Sequence, residues 1–244
     1  MVAYGRSRNP GKIDPAALGV VYQSVVESLS PVAYWPMQED SGTTMTALAG
    51  SSGTYSGGTT LGVTGPTATI PRGVQFDGTN DYASASLDLS AYSAVTVSGW
   101  MFIPSGAPDD KNPLEHTANW NTNNAFGWYP RWNNGYWGVV TSGSSGQTRN
   151  IGVSRPSVDT WHHYLTQHPR DNSYPTIWID GVKVTSIPHT VSSGSISGSY
   201  SNSTLYLGAR AGTSGFCNYR MSQVAVFGSI LSDADCAKLY TAAL

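Results

Sequence analysis

Charge is what this sequence has least of. Asp, Glu, Lys and Arg make up 11% of its 244 residues, against about a quarter in an average soluble chain. Ser, Thr, Gly, Asn and Tyr stand in their place, predicting a surface that hydrogen-bonds through neutral groups. The 13 Lys and Arg are scattered, and the net charge is −2. A nucleic-acid partner needs a basic face, so none is expected. No apolar run approaches the roughly 18 residues that cross a bilayer, so no membrane insertion is expected either. Cys217 and Cys236 are too few for a disulfide framework. Free thiols are the first expectation and one late bridge the alternative. The opening "MVAYGRSRNPGKIDPAALGVVYQ" lacks an apolar stretch followed by a small-residue cleavage site. Synthesis in the cytoplasm, with release by lysis where release occurs, is the expected route.

Catalytic equipment is equally sparse. There is no Gly-x-Ser-x-Gly elbow, P-loop or Gly-x-Gly-x-x-Gly turn. His162 and His163 are adjacent in a predicted strand, where neighbours point to opposite faces; they cannot share a metal. His116, His168 and His189 have no His or Cys at zinc spacing. Glutamate occurs only as Glu27, Glu39 and Glu115. No enzyme is expected.

What is present points to an all-β fold between two helices. Residues 1–14 carry Arg6, Arg8 and Lys12 among Gly, Ser, Asn and Pro. Such an arm is ordered only when something ties it down, either its own domain or a neighbouring subunit. In "DPAALGVVYQSVVESLSP", Asp14 suits an N-cap and Pro15 the first helical residue. Leu18, Val21, Tyr22, Val25, Val26 and Leu29 follow with helical spacing. Short apolar or alternating runs then alternate with Gly, Asn, Asp, Pro and Ser: "VAYWPM", "GVQF", "YASASL", "AVTVSGWMFI", "PLEHTANW", "AFGWYPRW", "GYWGVVT", "WHHYLTQH", "TIWIDGVKVTSI", "STLYLGAR" and "MSQVAVFG". The Asp-Gly pair in "TIWIDGVKV" is a strong hairpin signal. "LSDADCAKLYTAAL" returns to helix, with Ser232 as N-cap and Asp233 and Asp235 in its first turn. Many short strands predict a sandwich or jelly roll.

The order of these pieces resembles the laminin-G-like domains of the concanavalin A-like superfamily. "SPVAYWPMQEDSGTT", "GVQFDGTNDYASAS" and "AVTVSGWMF" are similar to the family's opening. "WHHYLTQHPRDNSYPTIWIDGVKV" is similar to its central strand and hairpin. "STLYLGARAG" and "MSQVAVFGSILSDADCAKLYTAA" are similar to its closing strands and terminal helix. The resemblance implies a jelly-roll sandwich of two antiparallel sheets over residues 31–244, with 1–30 as arm and helix. The prefix "YQSVVESLSPVAYWPMQEDSGTT" is similar to one on laminin-G-like virion proteins of actinobacterial tailed phages. It implies a non-enzymatic virion surface protein, a capsid decoration or minor tail protein, that displays an adhesion or glycan-binding domain. Residues 1–30 would hold it to other virion proteins through Arg6, Arg8, Lys12, Val21, Tyr22 and Val25, and a homo-oligomer is expected. The alternative is a free carbohydrate-binding lectin module.

Two further implications concern chemistry. Glucanases of this fold usually present Glu-x-Asp-x-x-Glu on one strand, and Glu115 has no carboxylate two or three residues away. Relatives often hold calcium at the sandwich rim. Here "FDGTNDY" offers Asp77 and Asp81, with Asp40 from an earlier loop, but Ser222 and Gln223 stand where many relatives have Asp-Glu. Capping of the turn by Asp77 and Asp81 is the plainer reading. No cofactor is assigned.

The stretch "NWNTNNAFGWYPRWNNGYWG" (119–138) holds seven aromatic residues and six asparagines. Read as strands, Phe126 and Trp128 share one face, Tyr129 and Arg131 the other, and Tyr136 and Trp137 must face opposite ways. One face is therefore core. The other would set rings beside amides, as a neutral sugar requires. Trp120, Trp128, Arg131, Trp132, Asn133, Asn134 and Tyr136 are the candidate glycan contacts, with Trp132, Tyr136 and the asparagines best placed to be on the surface.

Overall fold

The computed structural model of the chain describes residues 15–108, 110–119, 123–129 and 135–244, with residues 15–20 given by their backbone alone. Pro15 opens helix α1 (Pro15–Ser28). The helix closes where the amides of Leu29 and Ser30 donate to the carbonyls of Val26 and Glu27. Ser30 takes the left-handed conformation there, φ 54°. Strands follow in quick succession: β1 (Ala33–Trp35), β2 (Thr44–Met45), β3 (Gly53–Ser56), β4 (Thr60–Thr64), β5 (Arg72–Gln75), β6 (Tyr82–Asp88), β7 (Ala94–Phe102), β8 (Leu114–His116) and β9 (Phe126–Tyr129). Then come β10 (Tyr136–Ser142), β11 (Thr148–Ser154), β12 (Trp161–Pro169), β13 (Thr176–Ile179), β14 (Val182–Lys183), β15 (His189–Ser193), β16 (Asn202–Leu207) and β17 (Arg220–Phe227). Helix α2 (Asp233–Thr241) ends the described chain, with Ser232 accepting the Asp235 amide as its N-cap.

The strands form two antiparallel sheets. The first runs β14–β13–β12–β7–β17–β5–β4, with β1 also paired to β17; the second runs β15–β11–β10–β9–β8–β16–β6–β3–β2. The jelly-roll sandwich expected from the sequence is the observed architecture. In the β13–β14 hairpin, Ile179 pairs with Val182 across Asp180 (φ 49°) and Gly181 (φ 75°). Two left-handed residues make this a type I′ turn, whose twist matches the strands.

The space between the sheets is filled by Trp35, Met45, Phe76, Val97, Trp128, Trp137, Tyr164 and their neighbours. Trp137 stacks on Tyr164 at 4.6 Å between ring centroids. Trp128 is fully buried and its Nε1 donates to Thr166 Oγ1 at 2.8 Å. This overturns Trp128 as a glycan contact: strand alternation turns it inward with Phe126, and its one polar atom is satisfied within the core.

A second core lies outside the first sheet, where α1 and α2 cover Tyr34, Trp100, Leu165, Trp178 and Phe227. Tyr22, proposed above as an assembly contact, is 1% exposed in this core. Its ring is used to seat α1 on the sheet, so it is not free to anchor the chain to a partner. Val25 packs partly against the same cluster, whereas Val21 is 52% exposed. Arg6, Arg8 and Lys12 lie outside the described residues.

Cys217 is buried between the sheets and Cys236 on the inner face of α2. Both are free, and burial pushes each thiol up to about 12.

Candidate functional site

Both helices sit on the first sheet, and no helix among the described residues covers the outer face of the second. Strand alternation sets what that face displays. With Phe126, Trp128, Trp137, Val139, Ile151 and Val153 turned inward, Gly127 and Tyr129 on β9, Tyr136, Gly138 and Val140 on β10, and Asn150 and Gly152 on β11 face outward. Leu114 and His116 flank Glu115 on β8 in the same way, and Leu205 and Leu207 flank Tyr206 on β16.

Register places these residues in rows. One row across the sheet is Val191, Asn150, Val140, Gly127, Glu115 and Tyr206; the next is His189, Gly152, Gly138 and Tyr129. The glycines let neighbouring rings settle on the backbone. A Cβ at Gly127 would come within 3.0 Å of Tyr129 Cε2, and one at Gly152 within 3.2 Å of Tyr136 Cβ and 3.3 Å of His189 Cβ. The Tyr136 and His189 rings stack with centroids 6.1 Å apart and planes 19° from parallel.

Polar groups stand beside the rings. Asn150 is 2% exposed and its Oδ1 has no hydrogen-bond partner. A buried acceptor left unmade costs about 1–3 kcal/mol; this one is covered, with Val140 beside it also buried, so a ligand donor meets it only where the side chains above it move aside. Glu115 is fully buried, with Oε1 3.7 Å from Arg210 Nε; Arg210 also donates to Asn119 Oδ1 at 3.2 Å. Burial first, and the Glu115 charge second, push the Tyr129 hydroxyl well above the usual tyrosine range, so it remains a neutral donor.

Of the residues proposed from sequence, Tyr136 is the one that the described structure places on this face. Trp120, Arg131, Trp132, Asn133 and Asn134 lie outside the described residues. Tyr129, His189, Asn150, Glu115 and Arg210 were not among the proposed contacts. Glycines at alternate, outward positions of three consecutive strands were the available signal for the first three.

The other chemistry resolves as follows. Glu27 is exposed on α1. Glu39 accepts the Thr46 amide at 2.7 Å and the Tyr55 hydroxyl at 2.9 Å. Glu115 lies on the second sheet beside Arg210. Asp77 Oδ1 accepts the amides of Thr79 and Asn80, which holds its carboxyl below the usual range, and Asp81 Oδ2 accepts the Asp77 amide. Asp40 pairs instead with Arg72 at 3.3 Å. Calcium takes six to eight oxygens. Among the described residues no three His, Cys, Asp or Glu side chains converge on one point, and Asp77 and Asp81 spend carboxylate oxygens on the amides of their own turn.

Residues 77–237 match the family described as the concanavalin A-like lectin/glucanases superfamily, Laminin_G_3. No curated protein matches the sequence. Among solved structures, the ligand-binding domain of botulinum neurotoxin serotype D in complex with N-acetylneuraminic acid is similar at TM-score 0.66 and 10% identity. That match covers 91% of this chain and 52% of the neurotoxin domain. Domain 4 of AbnA, a GH43 extracellular arabinanase from Geobacillus stearothermophilus, in complex with arabinotriose, is similar at TM-score 0.59 and 14% identity, covering 86% and 98%. The binding domain of Paraclostridial Mosquitocidal Protein 1 is similar at 0.62 and 17%, covering 86% and 51%. The chain thus spans about half the length of the toxin binding domains it matches.

Proposed function

Since the chain belongs to the concanavalin A-like lectin/glucanase superfamily, we propose that it is a carbohydrate-binding module, borne on the surface of a phage virion, and that the outer face of its second sheet holds the glycan. The observation that carries this reading is Tyr129, Tyr136 and His189 set against strand glycines beside the unpaired acceptor of buried Asn150. A ring covers the apolar C–H face of a sugar, and amides and hydroxyls take its polar edge. The low charge favours a neutral glycan. An arabinotriose complex and an N-acetylneuraminic acid complex among similar structures agree with a sugar ligand.

The virion setting rests on the resemblance of the prefix to phage proteins. Val21 on α1, 52% exposed, is the described residue of the proposed anchor most available to another virion protein. Binding of the full chain to a panel of neutral oligosaccharides tests the sugar reading: saturable binding lost in Tyr136→Ala supports it, and absence of binding across the panel overturns it. Immunogold labelling of purified particles tests the setting.

A further inference from the structure

Ser157, His162 and Asp180 meet at the rim of the sandwich, and the fold dictates that they do. Alternation along β12 sends His163 under the helices and His162 into the mouth between the sheets, edge-on to Tyr164 at 6.3 Å. The type I′ turn brings Asp180 back onto β12, where its Oδ1 accepts the His163 amide at 2.9 Å. Its Oδ2 is left 2.6 Å from His162 Nδ1. On the opposite side of the ring, His162 Nε2 is 2.9 Å from Ser157 Oγ. Ser157 is exposed, and the His162 and Asp180 side chains keep 14% and 32% of their surface. Exposed Val158 and Val182 stand near the serine and the turn, offering apolar contact to a small acyl group.

We propose that Ser157, His162 and Asp180 form an acyl-transfer site that hydrolyses short O-acyl esters. Nucleophile, base and orienting carboxylate have the spacing that this chemistry requires. Ser157 Oγ attacks the ester carbonyl carbon as its proton passes to His162 Nε2. The tetrahedral adduct collapses, the carbon–alkoxide bond breaks, and the leaving alcohol takes that proton. Water, deprotonated by His162, then attacks the acyl-serine and releases a carboxylic acid and the free serine. Asp180 holds the Nδ1 proton and balances the imidazolium. The protonated Nε2 also lies 3.2 Å from the Ser157 carbonyl oxygen, which steadies it between transfers. The Asp180 carboxyl is held below its usual range by the His162 ring and the His163 amide, against the opposing effect of burial, so it stays ionised at neutral pH.

The alcohol half of the ester follows from position and rests on the glycan reading. Ser154 pairs with Tyr136 across β10 and β11, and Ser157 is three residues further on, at most about 10 Å of chain. A sugar on the second sheet would therefore bring an O-acetyl group to the rim.

The experiment treats the full chain with an alkyl fluorophosphonate, maps the adduct by mass spectrometry, and follows hydrolysis of p-nitrophenyl acetate. One adduct on Ser157 is expected, absent in Ser157→Ala and His162→Gln, with turnover falling about 100-fold or more in either variant. Ser157 is exposed, so its alanine variant keeps the fold, which a thermal melt confirms. No adduct at Ser157, or unchanged turnover in Ser157→Ala, overturns the proposal. Acetate release from O-acetylated oligosaccharides tests the alcohol separately: an adduct without acetate release overturns the sugar-ester assignment and leaves the triad standing. Failure of the plain oligosaccharides to bind overturns only the glycan reading.

Discussion

On the outer face of the first sheet, Tyr34, Trp100, His163 and Trp178 lie under α1 and α2, exposed by 5% or less. On the outer face of the second, Tyr129, Tyr136 and His189 keep part of their surface. The two faces draw on the same residue types, rings with a polar atom, and differ in what happens to that atom. Under the helices, Trp178 Nε1 and His163 Nδ1 have no hydrogen-bond partner; the ring area buried outweighs what those atoms lose. On the second sheet no helix supplies apolar cover, and the unpaired Asn150 oxygen lies beside rings that remain accessible. Aromatic content alone therefore does not distinguish a helix-covered face from one that keeps its rings accessible. Where the helices land does.

Acid should break the contrast most forcefully. His163 beneath the helices and His116 between the sheets are pushed down to about 4 by burial, and His168 to about 3. All three are buried neutral. An unfolded histidine titrates near 6.5, so between that value and the folded ones the unfolded chain binds more protons. Their stabilising contribution is complete above about pH 6.5 and is lost as pH falls toward 4. With about 1.4 kcal/mol per pH unit for each histidine, the loss approaches roughly 4 kcal/mol per unit. Denaturation midpoints at pH 7, 6 and 5 check this; a midpoint that stays level to pH 5 contradicts buried neutral histidines.

Replacing Tyr22 with alanine tests whether α1 is part of the covered face. Removing a fully buried aromatic ring costs about 3–5 kcal/mol. A chemical denaturation curve shifted by that amount makes α1 integral to the domain. A shift under about 1 kcal/mol would mean that the helix only rests on the sheet, and would favour a boundary near residue 30.

Much of this architecture was legible beforehand. The Asp-Gly turn, the alternation in "AVTVSGWMF" and the N-cap of α2 each carry a local physical signal that tertiary packing reinforces. The strands that escaped are instructive. β11 reads "TRNIGVS", polar at its start, because Arg149 is drawn inside and bonded to Asn172 and to the Thr148 carbonyl. β15 is a largely exposed edge strand with one apolar residue, so no periodicity marks it; β4 alternates in period two, but only Leu61 and Val63 carry the pattern. At the candidate site, the opposite orientations of Tyr136 and Trp137 followed from period two alone. The stacking of Tyr136 on His189 could not be read, since register joins β10 to β15 through β11. The Ser157–His162–Asp180 cluster was hidden for the same reason: its members fall in a link, a strand and a turn.

On the second sheet, effects on folding should be small and effects on binding larger. Tyr136→Ala removes a partly exposed ring, and surface substitutions usually stay within about 0.5 kcal/mol of stability. Loss of one stacked ring should weaken glycan binding about 10-fold, roughly 1.4 kcal/mol. Titration calorimetry beside a thermal melt separates the two quantities. A collapse in stability with no specific loss of affinity would assign the ring to packing and erase the contrast with the covered face.

Asn150→Leu is the finest probe. The side chains share the same branching, and the asparagine is buried with its oxygen unpaired, so relief of that unmet acceptor should offset the crowding from leucine's larger methyl groups and leave stability within about 1 kcal/mol. A residue kept only for folding would not carry an unmet acceptor where leucine serves equally well. The same substitution should weaken the glycan affinity, because a sugar hydroxyl loses its acceptor within the row that Val140 and Gly127 complete. Stability held with affinity lost would mark Asn150 as retained for a ligand. Stability lost with affinity held would mean that its amide serves the sheet, and the second face would then resemble the first in burying polar atoms for packing alone.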